Sequence, residues 1–147
     1  MTYDFALAGE PHRLGDYAVG EVIDHIDGVT IEEAEHMLAT RLLQSTAKVH
    51  FYATNRADGK RLIYGGHVIL LARALSFNGL ANAQMIVALN SGAHANPCFA
   101  GDTVRAWTEV LVPCVCGWLR PKAKLVICAA MTENIYRTFC WIWIIGR

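Results

Sequence analysis

His50 closes the stretch QSTAKVH, residues 44–50, five positions after Ser45. Histidine is the side chain best suited to moving protons at physiological pH, so an imidazole near a small polar residue is a candidate acid–base group. The plain alternative is a structural histidine, hydrogen-bonded against an apolar segment. Further along, Gly65-Gly66 opens a run of aliphatic residues. The first turn of a helix offers backbone N–H groups without intrahelical acceptors and the positive end of the helix dipole, a setting for developing negative charge. Glycine there admits a ligand close to the backbone, and the same pair serves equally well as a turn or packing device.

The remaining composition narrows the partners. Lys plus Arg and Asp plus Glu are each 13, giving zero net charge, so the chain lacks the electrostatic footprint of a nucleic-acid or anionic-membrane binder. A hydrophobic content of 54% with no net charge predicts apolar surface buried between subunits, in a homodimer or higher homo-oligomer. Five cysteines, with Cys114 and Cys116 one residue apart and no CxxC mate, fit neither a disulfide framework nor a zinc site and are expected as reduced thiols. No metal and no cofactor is expected. The start, MTYDFALAGEPHR, has acids where an export signal would be basic, and HVILLARALSF, interrupted by Arg73, is too short to span a membrane; a cytoplasmic location is expected.

The elements that must position these groups are legible in outline. A chain of 147 residues suits one domain, taken as residues 16–147 behind a loose lead-in over 1–15 containing Gly9, Pro11 and Gly15. A strand is expected over Glu21–Ile26, ended by a turn at Asp27-Gly28. Thr30 as N-cap, with Glu33 three residues on, starts a helix through IEEAEHMLATRLL. NRADGKR is a polar loop in which Lys60 and Arg61 are expected as solvated cations, with phosphate binding as the less favoured alternative. In YGGHVILLARALSFNGL the apolar residues cover nearly every face, predicting a helix enclosed by other elements and stopped at Gly79. AQMIVALNSGAHA, GDTVRAWTEVLV, AKLVICAAMT and YRTFCWIWII follow as four strands, with Trp141 and Trp143 on one face of the last. The fold class is α+β, an antiparallel sheet wrapped around a central buried helix.

NPCFAGDTV, residues 96–104, resembles the strand-turn-strand signature of the MaoC-like dehydratases and (R)-specific enoyl-CoA hydratases, which have the hot-dog fold. YGGHVILLARAL is similar to the start of that family's central helix, and VHF to the site of its catalytic histidine. Over residues 16–110 the chain looks most like the C-terminal half of the double hot-dog mesaconyl-CoA hydratases, also called β-methylmalyl-CoA dehydratases. From Leu111 the likeness stops, and a shifted reading frame or a replaced end is expected there.

The resemblance implies a hydro-lyase acting on a short branched enoyl-CoA thioester, with CoA present only as part of the substrate. The hydratase motif Asp-x-Asn-Pro-aliphatic-His falls on Ser45, Thr46, Ala47, Lys48, Val49 and His50. Its Asp has become Ser45, and a hydroxyl orients water without accepting its proton at neutral pH. His50 is then the acid–base residue, with Ser45 and Gln44 positioning water. Tyr64, Gly65, Gly66 and His67 would bind the substrate, with a core role for His67 as the favoured alternative. Asp102 is expected to close its turn by Asx hydrogen bonding. The alternative is a non-catalytic acyl-CoA-binding or structural hot-dog subunit, a remnant of a two-unit enzyme.

Overall fold

A computed structural model describes residues 7, 12, 16–81, 85–93, 96–111, 124–131 and 136–145, with strand segments 85–93, 124–131 and 136–145 given as backbone. The expected lead-in, Cys114 and Cys116 lie outside the described residues, residues 7 and 12 apart. Five strands, β1 (Val22–Thr30), β2 (Met85–Ala93), β3 (Thr103–Leu111), β4 (Lys124–Met131) and β5 (Tyr136–Ile145), form one sheet in the order β1-β3-β4-β5-β2. Every neighbouring pair is antiparallel. The residues beyond Leu111 supply β4 and β5 and so complete the sheet between β3 and β2.

The helices are α1 (Glu33–Leu42), α2 (Gly65–Leu75) and a short α3 (Phe77–Leu80). α2 lies across β1, β3 and β4. Along β3 the buried residues alternate, Val104, Ala106, Thr108 and Val110, as the twofold pleat of a half-covered strand requires. They meet Val68 and Ala72 of α2 in a core that also takes Ile31, Ile63 and Leu80. Full burial of a side chain such as Val104 or Ile31 contributes about 1.5–3 kcal/mol. This is the hot-dog arrangement of an antiparallel sheet around a helix.

Four local expectations need correcting. The first strand continues to Thr30, and Asp27-Gly28 is not a chain reversal but the end of a bulge between Asp24 and Gly28. Pairing with β3 outweighs the turn propensity, and Ile26 takes the left-handed conformation (φ 65°) while Asp24 Oδ1 accepts its N–H at 2.9 Å. Thr30 therefore ends a strand, its hydroxyl 2.8 Å from that of Thr103, and the N-cap of α1 is Glu32, in a capping box with Glu35. α2 stops at Leu75 with Ser76 as C-cap, and Gly79 (φ 94°) instead kinks α3. Finally, α2 is covered on one face only: His67, Val68 and Ala72 are buried, whereas Leu70 is 52% exposed in the single chain.

The loop ending in the GDT turn behaves as expected. Asp102 Oδ2 accepts the Phe99 N–H at 2.8 Å, and Gly101 takes the positive φ of 91° that the turn needs. Among the described residues, no helix is long and apolar enough to cross a membrane.

Candidate active site

The QSTAKVH segment leaves α1 through a Schellman motif. Ser45 N–H returns to the Thr40 carbonyl at 3.0 Å and Gln44 N–H to that of Arg41 at 3.1 Å, with Gln44 in the left-handed conformation (φ 52°). Gln44 and Ser45 thus terminate a helix whatever else they do. A 3-10 turn over Lys48–His50 follows, and Leu62 N–H bonds the Val49 carbonyl at 3.0 Å, drawing the turn against the strand-like approach to α2.

This pairing fixes His50. Its Nδ1 lies 2.8 Å from the Leu62 carbonyl oxygen, and a carbonyl can only accept, so Nδ1 carries the proton. In the neutral ring the lone pair is then on Nε2. The imidazole also meets the Tyr64 ring edge-on, with centroids 5.5 Å apart and planes at 72°. Tyr64 is the N-cap of α2. A Cβ added at Gly66 would stand 2.6 Å from Tyr64 Cε1, so the ring folds over the first turn only because Gly66 has no side chain. His50, Tyr64, Gly65 and Gly66 are therefore brought together at the amino end of the central helix.

His67 is 6% exposed, with Nε2 3.4 Å from Glu35 Oε1, and belongs to the packing between α1 and α2. Arg61 is ion-paired with Glu33, and Lys60 Nζ stands 5.6 Å from the centroid of the Phe99 ring, so neither is an uncommitted cation. Cys98 is buried, and burial, then the Asp102 carboxylate, push its thiol up to about 12, leaving it protonated and unreactive.

His36 was not anticipated as part of this site. It is fully buried, and its Nε2 accepts the Tyr64 N–H at 3.2 Å, with Thr40 Oγ1 3.0 Å from the same nitrogen. Nε2 is then the acceptor and Nδ1 the protonated nitrogen, and among the described residues Nδ1 has no hydrogen-bond partner. Burial, followed in smaller measure by the neighbouring His67, His50 and Arg61, lowers the His36 pKa against an opposing pull from Glu33. The sequence does hold a signal: His36 and Thr40, four residues apart, make a polar stripe on α1, while Leu38 and Leu42 point outward.

Beside the carboxyl end of α1 lies an open groove of about 500 Å³, lined by Met37, Arg41, Gln44, Ser45, Thr46 and Phe51 together with Thr40. Gln44 and Ser45 line this groove; His50 does not, although Phe51, the next residue in the chain, does.

No family model matches the chain. Over 109 residues, 74% of its length, it is 85% identical to mesaconyl-CoA hydratase from Cereibacter sphaeroides. Over 113 residues it is 62% identical to β-methylmalyl-CoA dehydratase from Chloroflexus aurantiacus. The chain spans about a third of the length of these curated relatives, 32% in each case. A MaoC-domain dehydratase structure from Chloroflexus aurantiacus superposes on 99% of the chain with a TM-score of 0.83 and 43% identity, and 48% of that protein is covered. A Mycobacterium tuberculosis protein with a double hot-dog fold covers 94% of the chain at a TM-score of 0.64 and 20% identity, a likeness of fold alone.

Proposed function

The chain belongs with the MaoC-like dehydratases of hot-dog fold, and from that premise we propose that it carries a hydratase/dehydratase site for a short branched enoyl-CoA of the mesaconyl-CoA and β-methylmalyl-CoA type. The observation that carries this reading is the placement of His50, whose Nδ1–H is tied to Leu62 while its ring packs on the residue capping α2.

Hydration of an α,β-unsaturated thioester needs a base to take a proton from water as its oxygen attacks C3, an acid to protonate C2, and donors for the enolate oxygen formed between them. His50 Nε2 takes the water proton, and the resulting imidazolium returns it to C2, so one residue serves both steps and no net proton is gained or lost. The Gly65 and Gly66 N–H groups, in the first turn of α2, receive the thioester oxygen. Gln44 and Ser45 hold the attacking water and take no proton. Dehydration runs the same steps in reverse.

The exposed apolar residues support assembly as a homodimer. Leu38, Leu42, Tyr52, Leu70 and Phe77 are each more than half exposed in the single chain, apolar surface that a second copy would cover. The test of the function is direct. Purified protein should add water to mesaconyl-CoA, read as loss of enoyl absorbance, and His50→Ala should lower that rate about a hundredfold or more. Binding of CoA thioesters with no change in absorbance would instead mark a non-catalytic acyl-CoA-binding subunit.

A further inference from the structure

The groove at the end of α1 is asymmetric in charge. Met37 and Phe51 are apolar, Thr40, Gln44, Ser45 and Thr46 are neutral and polar, Arg41 is a cation, and no carboxylate lines it. Among the described residues the Arg41 guanidinium has neither a hydrogen bond nor an ion pair. Arg56 and Arg61 differ, being paired with Asp58 and Glu33. Along the helix, the positions three and four residues from Arg41 are Leu38, Met37, Gln44 and Ser45, none of which offers a carboxylate. An uncompensated guanidinium beside apolar walls in a concave site is built to take an anion.

The groove adjoins the candidate active site. Thr40, which lines it, touches His36, which in turn holds the Tyr64 N–H, and Phe51 directly follows His50. The acyl groups named in the two relatives, mesaconyl and β-methylmalyl, each carry a free carboxylate besides the thioester. We propose that Arg41 is the specificity-determining residue of this chain, binding the free carboxylate of a dicarboxylic acyl thioester, an assignment that rests on the hydratase reading above. The planar guanidinium can meet the carboxylate through two parallel N–H···O bonds, and the Ser45 and Thr46 hydroxyls stand in the same groove to complete its coordination. A CoA phosphate is the other anion within reach, but a pyrophosphate carries more charge than one cation between two apolar walls offsets.

The test compares succinyl-CoA with butyryl-CoA, saturated thioesters that differ by a carboxylate in place of a methyl group and undergo no hydration. Their dissociation constants are measured on the wild-type chain, Arg41→Gln and Arg41→Lys. The wild type should prefer succinyl-CoA by about tenfold to hundredfold, the range of a charge-assisted hydrogen bond, and Arg41→Gln should bring the ratio close to unity. Arg41→Lys, which keeps a point charge and loses the fork, should fall between. A ratio unchanged in Arg41→Gln overturns the assignment, and equal weakening of both thioesters assigns Arg41 to phosphate and overturns it as well. Should Arg41→Gln not fold, an unchanged ratio in Arg41→Lys has the same force. A wild type that binds both thioesters without preference sinks the Arg41 proposal alone, whereas one that binds neither sinks the hydratase reading with it.

Discussion

The Tyr64 ring meets the His50 imidazole edge-on, 5.5 Å between centroids, and it can do so because Gly66 beneath it has no Cβ. Gly66→Ala places a methyl group 2.6 Å from Tyr64 Cε1, so the ring must swing away and His50 loses one wall. Alanine is otherwise the better helix former. The expected result is a protein of unchanged or slightly raised melting temperature whose turnover falls about tenfold or more, misplacement of a catalytic group being costly at that scale. Thermal melts and steady-state rates on the same preparation check it, and a fully active Gly66→Ala removes Tyr64 from the site.

Gln44 occupies a left-handed position that favours glycine, at a cost of roughly 1 kcal/mol for a residue with a side chain. Gln44→Gly should therefore stabilise the chain by about 0.5–1 kcal/mol in urea unfolding. If the amide also positions water, the same variant should lose about tenfold in hydration rate. Stabilisation with full activity would leave Gln44 a helix terminator only.

Gly79 has φ 94°, and a Cβ there would lie 2.9 Å from the Ile23 side chain. Gly79→Ala strains the backbone and pushes β1 from the α2–α3 junction, at a cost of about 1–3 kcal/mol. Denaturant midpoints measure this, and a loss below half a kcal/mol would contradict it.

Two fully buried histidines set an acid limit. His25 donates from Nδ1 to the Asn78 carbonyl and accepts the Thr108 hydroxyl at Nε2, at 2.7 Å, and its pKa is lowered chiefly by burial. His36 is lowered for the same main reason. Because both folded pKa values lie below the unfolded value of 6.5, the unfolded chain binds more protons in that interval. Their stabilising contribution is complete above pH 6.5 and is lost as pH falls toward the folded values, with a slope of up to about 1.4 kcal/mol per pH unit for each histidine. Urea unfolding between pH 7.5 and 5 checks the sign; stability that rises on acidification would refute it. His36→Gln should flatten the slope.

Much of the architecture was legible because it rests on local signals. The strands of the second half announce themselves by β-branched and aromatic runs, and the aliphatic stretch after Gly65-Gly66 by its length. The two boundaries misplaced around β1 share one cause: Thr30 and Asp27-Gly28 carry cap and turn chemistry, yet pairing with β3, distant in sequence, extends the strand through both. The exposure of Leu70 is not legible because the sequence shows that a helix is apolar all round and not what covers each face. At the site, His50 and the two glycines were candidates by residue type, and the catalytic reading of His50 came from the family resemblance. His36 did not, since its importance lies in accepting the N–H of Tyr64, a contact across 28 positions. Arg41 was hidden likewise, because a lone arginine in the last turn of a helix ordinarily serves only the dipole.

The account turns on His50 as the single proton carrier. The most direct measurement is the hydration rate of mesaconyl-CoA by wild type and His50→Gln, with folding of both followed by circular dichroism. Glutamine can still donate to the Leu62 carbonyl but cannot cycle a proton, so the account predicts a folded variant slowed about a hundredfold or more. A folded His50→Gln that hydrates mesaconyl-CoA at a rate near that of the wild type would contradict it.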